Sequence, residues 1–185
     1  MPISSKAVFG FSDKNSEIRQ IEKADLKYVC QSWLYDYQES PEMAMPGLIN
    51  DDYFGYQHKL IDDIIPRASA AGTAYIMNEP GQKHIYRGWM IAEPFAGLPV
   101  VHFIKVKKGA MNQGVATALM ARFYEDFGYT KEQNCVYTHS SKDIRRFRWL
   151  QKKIKDGNGV YLPWFKYTLA TKQACKKCGS LGWEA

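Results

Sequence analysis

From Val106 to Ala116 the chain reads Val-Lys-Lys-Gly-Ala-Met-Asn-Gln-Gly-Val-Ala, linking an apolar run to an amphipathic segment that ends near Phe127. A strand, a glycine-bearing loop and a helix N-terminus in that order can hold an anion. The first turn of a helix leaves backbone N–H groups unpaired and carries partial positive charge, so a phosphate placed there is bound by the main chain itself. Gly114 lets that backbone approach closely, and Ala116 keeps the next turn unobstructed. Taken alone, the pattern also describes an ordinary turn.

A second stretch, Lys142 to Lys155, sets its cations around an apolar stripe. It reads as a solvated helix face or, alternatively, as a phosphate-contacting surface for DNA or RNA. In the second case Arg145, Arg148, Lys152 and an exposed Trp149 would do the binding, and affinity would fall steeply with salt. The cysteines suggest no disulfide framework: Cys30 and Cys135 lie in apolar runs, as buried thiols do. Cys175 and Cys178 form a single CxxC with no histidine at finger-like spacing, so no metal site is expected.

The elements that must position these residues follow from periodicity. With 185 residues, 45% of them hydrophobic, the chain can bury one core, expected as one domain over residues 1–169 with a basic tail at 170–185. A net charge of +6 favours an anionic partner. No apolar run approaches the length needed to cross a bilayer, and Met1 to Lys6 lacks the apolar core of a signal peptide. The expectation is a soluble, cytoplasmic protein with no membrane contact.

Glu17 to Ile21 alternates as a strand, and Leu26, Val29, Cys30, Trp33, Leu34 and Tyr37 repeat at helical spacing, predicting a helix from about Lys23 to Gln38. A second helix starts at Asp51-Asp52, carries Phe54, Leu60, Ile61, Ile64 and Ile65 inward, and is ended or kinked by Pro66. Strands follow at Thr73 to Met77, Ile85 to Ala92 and Pro99 to Val106, with a turn at Glu79-Pro80-Gly81-Gln82. A helix closed by Gly128, a strand from Asn134 to His139, one helix over 141–155 with Ile144, Phe147, Leu150 and Ile154 inward, and an edge strand from Val160 to Leu169 complete the chain.

This order of α and β elements, a mixed α/β sheet with the glycine loop between the fourth strand and the third helix, resembles the GNAT superfamily of acyl-coenzyme A N-acyltransferases over roughly residues 17–169. The family loop is Gln/Arg-x-x-Gly-x-Gly/Ala: Gly114 and Ala116 match its last positions, Val106 lies the expected distance upstream, and Met111 stands where Gln or Arg is usual. Shorter segments, among them Ser32-Trp33-Leu34, Gly88-Trp89, Val101 to Lys107 and Tyr161 to Trp164, look like GNAT-type proteins of bacteriophages. The resemblance implies a mostly antiparallel sheet splayed between strands four and five and flanked by four helices. It also implies acetyl-CoA or another acyl-CoA as cofactor, and a small-molecule, peptide or nucleobase amine as acceptor. A homodimer is compatible with it, as is residence in the host cytoplasm if the chain is phage-encoded. The alternative is a phage protein of this fold acting on nucleic acid through helix 141–155, either a DNA base modification enzyme of the Mom type or a non-catalytic DNA-binding or virion component.

The resemblance assigns cofactor contacts to the backbone of Ile104, Lys105 and Val106, and to Met111, Asn112, Gln113, Gly114, Val115 and Ala116. The acceptor must arrive uncharged, which calls for a general base on or beside the fourth strand. His102 is one candidate, expected on the same period-2 face as Ile104 and Val106, and Glu93 before Pro94 is the other. A tyrosine after the fifth strand, Tyr161 or Tyr167, would serve as acid for the leaving thiolate, and His139 or Ser140 would contact cofactor or acceptor.

Overall fold

The computed structural model describes residues 17–38, 62–139 and 142–162. Six strands form one sheet in sequence order: β1 (Glu17–Gln20), β2 (Ala74–Glu79), β3 (Gln82–Phe95), β4 (Leu98–Val106), β5 (Cys135–Tyr137) and β6 (Gly159–Tyr161). The first four pair antiparallel, and the β4–β5 and β5–β6 pairings are parallel. Helix α1 (Leu26–Gln38) and the helical segment α2, described over 62–70, lie between β1 and β2. Helix α3 (Val115–Asp126) joins β4 to β5, and α4 (Lys142–Arg146) with α5 (Arg148–Lys155) joins β5 to β6.

Alternation along the strands divides the core between the two sheet faces. On one face Ile76, Trp89, Ile91, Phe103 and Val136 pack with Val29, Trp33, Ile64 and Ile65 of α1 and α2. On the other, Met77, Met90, Val101, Ile104 and Tyr137 pack with Leu119, Phe123, Ile144 and Leu150 of α3 to α5. Trp33 anchors the first layer, its ring 5.0 Å from Phe103 and 5.6 Å from Trp89. The buried Trp89 indole N–H is satisfied by Ser32 Oγ at 2.9 Å.

Three expectations change. Pro66 does not end the second helix, whose described turns run on to residue 70. The proline removes one backbone bond, but buried Ile64, Ile65 and Ala68 hold those turns against the sheet, and the stop comes where Thr73 donates to the Ala68 carbonyl through both its N–H and its hydroxyl. The start of that helix, from Asp51, lies outside the described residues. The single helix expected over 141–155 is broken at Phe147, whose ψ is 98°. Ile144, Phe147 and Leu150 are all buried. Phe147 is the N-cap residue of the second segment, its extended backbone ending one helix and starting the next. The strand expected from Asn134 to His139 is shorter, at Cys135–Tyr137, and the last strand is described only over Gly159–Tyr161.

Gly88 sets the distance between α3 and the sheet. A Cβ there would lie 2.6 Å from the Lys105 carbonyl oxygen and 2.8 Å from Val115 Cγ1, at the first turn of α3. Gly88→Ala is expected to push that turn off β3 and lower stability by about 1–3 kcal/mol, read by chemical denaturation.

Candidate functional site

The loop after β4 is pinned at both ends. Lys107 N–H donates to the Arg87 carbonyl at 2.8 Å, and a single 3-10 turn, Lys108–Ala110, follows. Asn112 and Gly114 then take left-handed conformations, φ 62° and 78°, which bring the main chain round to the start of α3. Gly114 is the N-cap residue and no side chain caps the helix. The expected arrangement of strand, glycine and helix N-terminus is therefore present. Gln113 is turned away from the helix end: its amide donates to the Gly109 carbonyl at 3.0 Å and accepts from Arg87 Nη2 at 2.6 Å. Arg87 is a buried cation of β3 that periodicity did not single out, and it fastens the loop to the sheet.

A cavity of about 610 Å³ opens onto this loop, lined on one side by Val106, Met111, Gly114 and Ala116 and on the other by Arg146, Arg148 and Trp149. The break at Phe147 puts Arg146 and Arg148 together on the cavity, whereas one continuous helix would have paired Arg148 with Arg145. Arg145 and Lys152 are exposed elsewhere. Trp149 is not the exposed platform expected: it is half-buried, edge-on to Tyr124 at 5.5 Å, with Lys153 Nζ 5.3 Å from its ring. Uncapped N–H groups, two guanidinium groups and an apolar floor fit a group with phosphates at one end and a less polar arm at the other.

The arm's direction is suggested by the sheet. β5 pairs with β4 only at Val100 and Val101, and the last bond across the pair runs from Thr138 N–H to the Val101 carbonyl. Beyond Val101 the strands part. Ile104, Lys105 and Val106 stay paired with β3 on one side and face the fork on the other. Lys105 also pairs with Asp36 of α1.

His102 lies at a β-bulge. Ile91 pairs with Phe103 and Ala92 with Val101, so His102 is the extra residue of β4. The period-2 expectation fails by one residue here: Ile104 faces α3, while His102 turns to the α1–α2 side. There it is fully buried in a line of polar groups. Its Nε2 lies 2.9 Å from Glu93 Oε1 and its Nδ1 3.0 Å from Thr138 Oγ1, which is in turn 2.9 Å from His139 Nδ1. Arg67 of α2 reaches Glu93 at 3.4 Å. Both candidate bases thus form one pair, joined to Thr138, a residue that sequence reasoning passed over. Its signal was a hydroxyl beside a histidine at the tip of an apolar strand. Tyr161 is elsewhere, 40% exposed and packed on Tyr137 on the opposite face. Tyr167, Ser140 and the Cys175–Cys178 pair lie outside the described residues.

Burial pushes the His102 imidazole below its ordinary value although Glu93 pulls it up, and burial together with His102 holds His139 down to about 3. Both rings are neutral near pH 7. In the unfolded chain each binds a proton near pH 6.5, so stability is full above that value and falls with pH as the unfolded state gains protons that the fold refuses. The melting temperature is expected to drop between about pH 7 and pH 5, with a shallower slope for His139→Gln.

Comparisons with known proteins give the fold. No family model matches the chain, and no curated protein does. Among solved structures, a candidate acetyltransferase of Bacillus subtilis, YycN, aligns with a TM-score of 0.53 at 10% identity over 74% of this chain and 89% of its own. A protein of Pyrococcus horikoshii gives 0.50 at 14% identity over 74% and 86%, and a GNAT-family acetyltransferase of Streptococcus agalactiae 0.47 at 15% over 75% and 84%. At such identities the likeness is one of fold alone: a mixed six-stranded sheet with flanking helices, shared with the two structures that align at TM-scores of 0.50 and 0.53. Among the described residues no helix is long and apolar enough to cross a membrane.

Proposed function

We propose that this chain is an N-acyltransferase that moves an acyl group, in the simplest case acetyl, from an acyl-coenzyme A to an amine. The observation that carries the reading is the fork between β4 and β5 beside an uncapped helix N-terminus. An open strand edge can bind an extended arm, and the helix end can bind the phosphates to which such an arm is attached.

The main-chain N–H groups from Met111 to Ala116 would hold the pyrophosphate, with Arg146 and Arg148 facing them across the cavity. Met111 removes a polar side chain from the usual motif but no backbone donor, and its half-buried side chain lines the cavity. The β4 main chain from Ile104 to Val106 would hold the arm. Bound acyl-CoA would supply the acyl group as a thioester.

The chain's own part is to desolvate the amine and take its proton. Trp33, Trp89 and Phe103 wall the α1 side of the sheet against water. The Glu93–His102 pair offers a neutral imidazole hydrogen-bonded to a carboxylate, whose charge offsets part of the burial cost of a proton held there in passing. Small molecules, peptides and nucleobases all offer amines of this kind.

The test joins a melting curve with acetyl-CoA to thiol release across a panel of amines. Saturating acetyl-CoA is expected to raise the melting temperature by a few degrees, from the roughly 2–3 kcal/mol that a ligand at 100 times its Kd contributes. An unchanged curve at about millimolar acetyl-CoA counts decisively against the proposal.

A further inference from the structure

The loop from Lys107 to Gln113 is tied at both ends to one residue of β3. The Arg87 carbonyl accepts the Lys107 N–H at 2.8 Å, and Arg87 Nη2 donates to Gln113 Oε1 at 2.6 Å. Gln113 Nε2 reaches back to the Gly109 carbonyl at 3.0 Å. The partners themselves dictate how this amide is turned: a guanidinium only donates and a carbonyl only accepts, so the oxygen faces Arg87 and the nitrogen faces Gly109. The Gln113 side chain thus spans the loop from its middle to the sheet. In the main chain Gln113 stands between the two left-handed residues, Asn112 at φ 62° and Gly114 at φ 78°. A residue other than glycine keeps such a conformation only where its surroundings over-determine it.

We propose that Arg87 and Gln113 are positioning residues for the acyl donor: their hydrogen bond is a latch that holds the loop, before the donor arrives, in the conformation that presents the first N–H groups of α3 to its phosphates. This rests on the acyltransferase reading above. A bond from a guanidinium is charge-assisted and stronger than one between neutral groups. Arg87 is only 7% exposed, so water competes poorly for it. Its neighbour Gly88 receives Val115 of the first α3 turn, so the latch and the helix start stand on the same piece of β3. A loop free to turn about Asn112 and Gly114 has to be ordered by the ligand, and that ordering is subtracted from affinity. The latched loop meets this cost on folding instead.

The test compares the full chain as wild type, Gln113→Met, Arg87→Met and the double variant. It reads the Kd of acetyl-CoA by calorimetry, and backbone amide hydrogen exchange and melting temperature without ligand. Gln113 is exposed, so its replacement by a side chain of similar length leaves the core intact and decides the matter alone should Arg87→Met fail to fold. Gln113→Met is expected to weaken acetyl-CoA binding by at least about tenfold, the loss of one charge-assisted bond. The Lys107 and Ala110 amides, both hydrogen-bonded within the loop's first turn or to β3, are expected to exchange at least about tenfold faster, with the melting temperature near that of the wild type. The double variant is expected to bind no more weakly than Arg87→Met, because both single changes remove the same bond. A wild-type Kd in Gln113→Met overturns the proposal, as do losses that simply add in the double variant. A weakened Kd with wild-type exchange also overturns it, and assigns Gln113 a direct contact with the ligand. A wild-type chain that binds no acetyl-CoA overturns the acyltransferase reading and with it the latch's role toward the donor, while exchange in Gln113→Met still reads whether the latch orders the loop.

Discussion

Gly114→Val is expected to abolish the acetyl-CoA-dependent rise in melting temperature, with affinity reduced by at least about a hundredfold. Gly114 holds φ at 78° and ψ at 4°. A β-branched residue is a severe outlier there, at a cost of about 1–3 kcal/mol. The loop relieves that strain by rotating, and the N–H groups of the first α3 turn then no longer converge on one point. Gly128→Val is the control. Gly128 has a similar φ of 67° at the far end of α3, with nothing within 4 Å of an added Cβ. That variant is expected to melt lower without ligand and still to gain the full shift with acetyl-CoA. If Gly114→Val gains the wild-type shift, the phosphates are held elsewhere.

Glu93→Gln is expected to lower kcat by roughly 10²- to 10⁴-fold, the range over which a positioned acid or base contributes. The substitution keeps an oxygen for the His102 Nε2–H but removes the charge that stabilises a proton on the line. The KM for acyl-CoA should change little, because Glu93 lies on the α1–α2 side of the sheet and the cavity on the other. Arg67 loses its carboxylate partner, so some fall in melting temperature accompanies the effect, and kinetics belong well below that transition. A glutamine variant with wild-type kcat excludes the buried line from the chemistry. A parallel loss in kcat and in acyl-CoA affinity points instead to a structural role for the Glu93–His102 pair.

The order of elements was legible because each is written in local terms. Val29, Trp33 and Leu34 recur at helical spacing, and Gly81 and Gly128 adopt the positive φ that marks a hairpin turn and a helix end. The strand, glycine loop and helix N-terminus were legible for the same reason: they are contiguous from Val106 to Ala116. The buried polar cluster of Glu93, His102, Thr138 and His139 was only half legible. His102 and Glu93 were named singly, as alternatives, although they are hydrogen-bonded across neighbouring strands.

What the sequence by itself determined is thus the order of strands and helices among the described residues, and a glycine-bearing loop between the fourth strand and the third helix. Only the tertiary structure decided which way His102 faces, which arginines share a cavity with the loop, and that Thr138 joins two histidines. The reason is physical. A bulge in β4 and a break at Phe147 are places where the chain departs from regular geometry: β4 carries an extra residue against β3, and the backbone is extended at Phe147 between two helices, with Ile144, Phe147 and Leu150 buried around it. A periodic reading passes straight through both points, and both change which side chains meet at the site.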